Sequence, residues 1–133
     1  MSAVINTNVL VYDTFEDSVY HAEARGLLDS LSERIIPLIV IHEYVWVTRS
    51  LEVDVRETAY KVEEYLQHYK TRLVNETAGD VMRALDLVQK EKLSLSQYND
   101  KIILTVALKT GKLATFDTRL RKQAVARKIQ VLP

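Results

Sequence analysis

The order of elements in this sequence predicts an α/β fold built on a mostly parallel sheet. Short β-branched runs alternate with longer segments whose apolar residues recur at helical spacing, the pattern of strands joined by crossover helices. Three glycines and two prolines in 133 residues leave room only for short connections. The length predicts one domain over residues 1–133, enough chain to bury a real core.

The first strand is predicted at Ala3–Ile5, followed by the polar triplet Asn6-Thr7-Asn8. Val19, Ala22, Ala24, Leu27, Leu28 and Leu31 set a helix with Ser18 as a candidate cap. A second strand spans Ile35–Ile39, interrupted by Pro37, and an apolar helix follows over Ile41–Leu51. Asp54 opens the next helix, with Val55, Ala59, Val62, Leu66 and Tyr69 down one side. Arg72–Val74 is a third strand. Thr77 to about Glu91 is an amphipathic helix with Val81, Leu85 and Val88 in one stripe and Ala84 beside it. Lys92–Tyr98 reads as a loop and residues 99–109 as a helix ended by Gly111. Strand Leu113–Thr115, helix Asp117–Arg127 and strand Ile129–Leu132 complete the chain.

Composition narrows the function classes. Hydrophobic residues make up 47% and charged residues 27%, which suits a globular protein and not a disordered one. The absence of cysteine excludes disulfides and thiolate metal sites. Apolar stretches fall far short of the roughly 20 residues of a membrane span. The N-terminus lacks a signal-like pattern, so a cytoplasmic location without membrane contact is expected. Net charge is zero but uneven: residues 1–99 hold 10 basic and 16 acidic side chains, and residues 100–133 hold 8 and 2. The basic end can meet phosphates or be an ordinary solvated surface.

Three acids stand apart from surface decoration. Glu43 lies in the apolar stretch IHEYVWV, with Val40 and Val47 one turn away. A lone buried carboxylate there costs several kcal/mol unless it is paired or bound to a cation. Asp100 opens the helix NDKIILTVAL, and Asp117 follows the strand in LATFD. Acids in a first helical turn also serve simply as caps and dipole partners, worth about 0.3–1 kcal/mol. A parallel sheet places its sites beyond the carboxyl ends of its strands, where Asn6 and Asp117 fall. Clustered carboxylates raise one another's pKa values and are relieved by a divalent cation, and all-oxygen ligation suits Mg²⁺ or Mn²⁺. His21, His42 and His68 have no metal-motif spacing. Asp13 reads as part of a solvated acidic loop with Glu16 and Asp17.

VINTNVLVYDTFEDSVYHAEARGLL, IHEYVWV and YNDKIILTVALKTGKLATFDTRLRK occur in the order and spacing of the PIN-domain ribonucleases, and the chain resembles the VapC-like toxins among them. The resemblance implies a three-layer α/β/α sandwich with a central parallel sheet. It implies metal-dependent hydrolysis of RNA phosphodiesters at Asn6, Glu43, Asp100 and Asp117 around Mg²⁺ or Mn²⁺. Thr115 would support that site, whereas Thr7 reads as a turn hydroxyl. A homodimer and an inhibitory antitoxin partner are implied as well.

The sequence departs from the pattern at its first acid, where Asn6 stands in place of Asp. Asparagine keeps a ligating oxygen but brings no charge, so weakened metal binding and impaired turnover are expected. The rival expectation is a non-catalytic module of the same fold that binds an antitoxin or RNA. A receiver-type phosphotransfer domain would need a nucleophilic Asp where Asn6 stands. Arg119, Arg121 and Lys122 are candidate RNA-backbone contacts, or the exposed face of the last helix. Trp46 and tyrosines including Tyr44, Tyr60, Tyr65, Tyr69 and Tyr98 are candidates for base stacking, core or interface.

Overall fold

Strand β1 (Ser2–Ile5) occupies the middle of the sheet, and its last three residues are fully buried. A strand covered on both faces reads as a continuous apolar run, as SAVI nearly does. The computed structural model describes residues 1–133. Its five strands, β1, β2 (Glu33–Pro37), β3 (Thr71–Val74), β4 (Lys112–Ala114) and β5 (Gln130–Leu132), run in the order β3-β2-β1-β4-β5. Every neighbouring pair is parallel. Seven helices complete a three-layer α/β/α sandwich: α1 (Thr7–Thr14), α2 (His21–Ser30), α3 (Leu38–Ser50), α4 (Val55–Gln67), α5 (Ala78–Lys90), α6 (Tyr98–Thr110) and α7 (Thr118–Ala126).

The strand order reverses between β1 and β4. The chain leaves β1 toward β2 and β3 on one side, then returns to β4 and β5 on the other. The crevice beyond the carboxyl ends of β1 and β4 is therefore the switch point of the sheet. The Asn6 amide N–H donates to the Ala114 carbonyl at 3.0 Å and holds the two strand ends together there.

Several predicted elements differ in detail. The sequence pattern gave no helix at 7–14, yet Asn6 caps one, its Oδ1 accepting from the Thr7 N–H at 2.8 Å. Helix α1 buries Val9, Leu10 and also Asp13, so it lacks a polar stripe of ordinary width. Helix α2 starts at His21, and Val19 is 87% exposed. Ser18 does not cap it and donates instead to the Tyr12 carbonyl at 3.1 Å. Pro37 ends β2 rather than interrupting it, and α3 begins at once at Leu38. Proline suits that junction, since its fixed φ fits both strand and helix entry and no N–H is left orphaned. Between α5 and α6 the predicted loop holds one 3-10 turn at Leu95–Gln97.

The stripe on α4 is real, but Val62 is the member that packs against the core, and Tyr69 lies beyond the helix end. Asp54 caps α4 through the Arg56 N–H, as the sequence suggested. Tyr65 is the side chain that α4 buries, while Val55 and Leu66 stay exposed. Val55, Ala59, Val62 and Leu66 instead face Val45, Thr48 and Val53 across an open groove of about 680 Å³.

Candidate active site

Four segments converge at the switch point. Asn6 follows β1, Thr115 and Asp117 follow β4, Glu43 projects from α3 and Asp100 from the first turn of α6. Asn6, Glu43 and Asp100 line one cavity of about 290 Å³, together with Thr7, Asn8, Val11, Tyr12 and Val47. Asp117 caps α7 through the Leu120 N–H at 2.8 Å and acts on Asp100 through its charge.

Asn6 is 6% exposed, and both ends of its amide are used. Its Oδ1 must face the Thr7 N–H to cap α1, so the amide cannot flip. That orientation aims Nδ2 at Thr115 Oγ1, 2.8 Å away. Thr115 is fully buried, and its hydroxyl oxygen also accepts from the Asp117 N–H at 3.1 Å. An aspartate at position 6 would reverse the first of these bonds: its carboxylate would accept the Thr115 proton. The Asn8 side chain braces the same turn, taking the Phe116 N–H on Oδ1 at 3.2 Å.

Glu43 has no ion-pair partner, contrary to the ordinary expectation for a half-buried acid. Thr7 Oγ1 donates to its Oε1 at 2.5 Å and Asn99 Nδ2 to its Oε2 at 3.1 Å. Thr7 thus lines the candidate site and holds Glu43, beyond the turn hydroxyl that the sequence suggested. Thr7, Asn8 and Asn99 are the members that sequence reasoning missed. Each adjoins a singled-out position (6 or 100), and that adjacency was the available signal.

Asp100 carries the electrostatic strain of the cluster. Burial pushes its carboxyl up to about 6, and the charges of Asp117 and Glu43 add to the rise. Lys101 and Arg119 oppose it incompletely. Lys101 is spoken for, since its fully buried ammonium bonds Glu91 and Gln123, both at 3.0 Å.

No three His, Cys, Asp or Glu side chains form a group that would hold a metal ion by themselves. The donor set is nevertheless hard and oxygen-rich. Asn6 Oδ1 and both Glu43 oxygens each keep lone-pair capacity beyond the bonds they make. Such a set fits Mg²⁺ or Mn²⁺, which engage one or two carboxylates and retain water on the remaining positions.

The other candidates scatter. Arg119 and Lys122 are exposed on α7. Arg121 is engaged within the chain, donating to the carbonyls of Thr115 at 2.8 Å and Pro133 at 3.0 Å. Asp13 is not solvated: it is 5% exposed, paired to Arg25 at 2.7 Å and hydrogen-bonded by the Tyr65 hydroxyl at 2.7 Å. His21 lies 2.9 Å from the Tyr12 carbonyl, His68 accepts from the Lys70 N–H, and His42 is exposed. Tyr44 and Tyr65 are core, whereas Trp46, Tyr60 and Tyr69 are well exposed.

A fully parallel five-stranded sandwich, with acids gathered where strand order reverses, defines a class of α/β proteins with a switch-point site. The PIN domain model matches residues 3–126, and the chain belongs to that family. Among solved structures it is similar to VapC20 of Mycobacterium tuberculosis, described as a sarcin-ricin loop cleaving toxin. That match has a TM-score of 0.78 at 17% identity, covering 91% of this chain and 94% of that one. It is also similar to VapBC2 of Rickettsia felis, solved on a DNA fragment from its promoter (TM-score 0.69, 18% identity, 100% and 98% covered). A toxin–antitoxin complex from Klebsiella pneumoniae matches with TM-score 0.61 at 24% identity, covering 88% of each chain. At these identities the likeness is one of fold. No match is found among curated proteins.

Proposed function

We propose that this chain is a PIN-domain ribonuclease of the toxin–antitoxin type whose turnover is impaired by Asn6. One observation supports the reading: residues 6, 43 and 100, far apart in sequence, line one cavity at the carboxyl end of β1, and Asp117, just past β4, acts on Asp100 through its charge. Asn6, Glu43, Asp100 and Asp117 are the residues that would hold Mg²⁺ or Mn²⁺. When bound, the cation supplies a water of lowered pKa and neutralises charge on the phosphate under attack. Thr7 and Asn99 fix the Glu43 carboxylate in rotation, and Thr115 ties the Asn6 amide to the Asp117 backbone. One of these carboxylates would also orient or deprotonate the attacking water. Arg119 and Lys122 receive the RNA backbone on either side, and Arg121 holds the end of β4 in place.

The antitoxin part of the reading rests on the groove between α3 and α4. Its apolar walls suit one face of an amphipathic helix. The K. pneumoniae neighbour was solved as a toxin–antitoxin complex, which supports a protein partner of that kind here. The reading includes a homodimer, and Met82 and Leu85 on α5 remain exposed for one.

Calorimetric Mn²⁺ titration and RNA cleavage, compared between this chain and Asn6→Asp, test the proposal. The added charge is expected to tighten Mn²⁺ binding about tenfold, taking a screened carboxylate–cation attraction, and to raise the cleavage rate. Equal affinity and equal cleavage in both would remove the impairment. RNA binding without metal-dependent cleavage in either would favour a non-catalytic module, in which the Asn6–Thr115 bond is purely structural.

A further inference from the structure

We propose that Tyr12, Tyr20 and Phe116 form a stacking platform for an unpaired nucleobase flanking the scissile phosphate. The inference rests on the ribonuclease reading and adds to its candidate site a subsite for one unpaired base. Tyr12 lines the same cavity as Asn6, Glu43 and Asp100. Its ring meets Phe116 edge-on with centroids 5.4 Å apart and Tyr20 at 5.3 Å. Tyr20 and Phe116 stack with centroids at 5.0 Å and planes 16° apart. Phe116 lies between Thr115 and Asp117, and its N–H is held by Asn8, so the platform is anchored to the acidic site itself.

Tyr12 and Phe116 are half-buried against the core, and Tyr20, stacked on Phe116, gives the platform its open face. The Tyr44 and Tyr65 pair is closed by contrast: these rings are 1% and 3% exposed, with hydroxyls tied to Thr14. Tyr20 remains 39% exposed although its α2 cap position makes no side-chain capping bond. Arg119, exposed two residues beyond Asp117, stands ready for a phosphate on the same strand. Aromatic faces take any base that is free to unstack, so the platform selects for unpaired conformation more than for base identity. A continuous duplex keeps its bases stacked on one another and offers no free face.

Titration of a single-stranded RNA containing 2-aminopurine tests this with the chain as it stands, and the readout is binding. Stacking on the platform is expected to quench the 2-aminopurine emission. Tyr20→Leu should weaken binding about fivefold, the low end for loss of one base–aromatic stack, and relieve the quench. Arg119→Ala should weaken binding while the quench at saturation persists. Tyr20→Trp should deepen the quench and tighten binding, which keeps the test open if the leucine variant folds poorly. RNA binding with affinity and quench unchanged in Tyr20→Leu, or in Tyr20→Trp, would overturn the platform alone. Equal affinity for a duplex of the same sequence would also overturn it. Failure of the parent chain to bind any RNA would instead overturn the ribonuclease reading beneath it.

Discussion

Asp80 and Asp100 stand in the first turns of two neighbouring helices, α5 and α6, and the fold treats them in opposite ways. Asp80 closes a capping box: its Oδ2 takes the Thr77 N–H at 2.9 Å while Thr77 Oγ1 takes the Asp80 N–H at 3.1 Å. Its Oδ1 also receives the Lys109 ammonium at 2.6 Å, a bond from the last turn of α6 back to the start of α5. Burial alone would push the Asp80 carboxyl up, but the bonds from Lys109 and Thr77 outweigh it and hold the pKa below its ordinary value. Asp100 has burial that Lys101 and Arg119 offset only in part, and the charges of two further acids add to it. The same residue type at the same helical position therefore serves stability in one helix and works against it in the other. An acid left under-compensated among acids is a candidate for a functional role.

Removing the two carboxylates should change stability with opposite signs, and the larger effect belongs to Asp80. Asp80→Ala loses the side-chain half of the capping box, leaving the Thr77 N–H without its partner, and loses the bond from Lys109. A destabilisation of about 2 kcal/mol is expected from a lost cap and a lost charge-assisted bond. Urea denaturation at pH 7 measures it. A change below about 0.5 kcal/mol would erase the distinction between the two aspartates.

Asp100→Asn should instead stabilise the chain at pH 8, by about 1 kcal/mol once solvent screening of this half-buried group is allowed for. The pH dependence fixes the sign. The Asp100 carboxyl titrates at about 6 in the folded chain, above the ordinary value near 3.9 of an unfolded aspartate. Between those values the folded state holds a proton that the unfolded state has released. The Asp100 contribution to stability therefore falls as pH rises through that window, and the penalty is complete above about pH 7. For Asp80 the sign is reversed. Its stabilisation is full above the unfolded value and is lost as pH falls through its own lower pKa. Stability measured from pH 4 to 8 in metal-free buffer should show the Asp100 slope in the parent chain and a flatter curve in Asp100→Asn. Parallel curves would show that Asp100 is not strained.

This pairing also marks how far the sequence could be read. A first-turn acid is compatible with either role, and the difference lies in Lys109, Glu43 and Asp117, which only the tertiary fold brings near or keeps away. The parallel sheet was legible because strands buried on both faces leave β-branched runs such as AVI and RII. Candidate positions 6, 100 and 117 stood out because each adjoins a predicted element boundary, and Glu43 because it is a carboxylate in an apolar stretch. Helix α1 was not, because burial of its apolar and acidic positions alike removed the periodic contrast that signals a helix. Asp13 was misplaced with it: one acid inside that helix is matched by Arg25 and Tyr65 from α2 and α4, partners 12 and 52 residues away. The α4 stripe was legible as a shared face only. A period shows which residues share a face but not which neighbour covers that face, and here the groove toward α3 is left open.

The smallest effect separates the ion pair from the cap. Lys109→Met removes the ammonium from Asp80 while the reciprocal bonds with Thr77 remain possible. The lysine side chain is 50% exposed, so solvent already screens the pair, and its loss should cost about 0.5–1 kcal/mol. Most of that loss should persist in moderate salt, because the carboxylate partner is only 5% exposed and is poorly reached by counterions. Asp80 should then titrate closer to its ordinary value while Asp100 keeps its raised pKa, since Lys109 is not among the charges that act on it. NMR titration of the two aspartate carboxyls in Lys109→Met reads both at once. Joint movement of the two pKa values would mean that the helices share one electrostatic environment, and the contrast between a structural and a functional aspartate would fail.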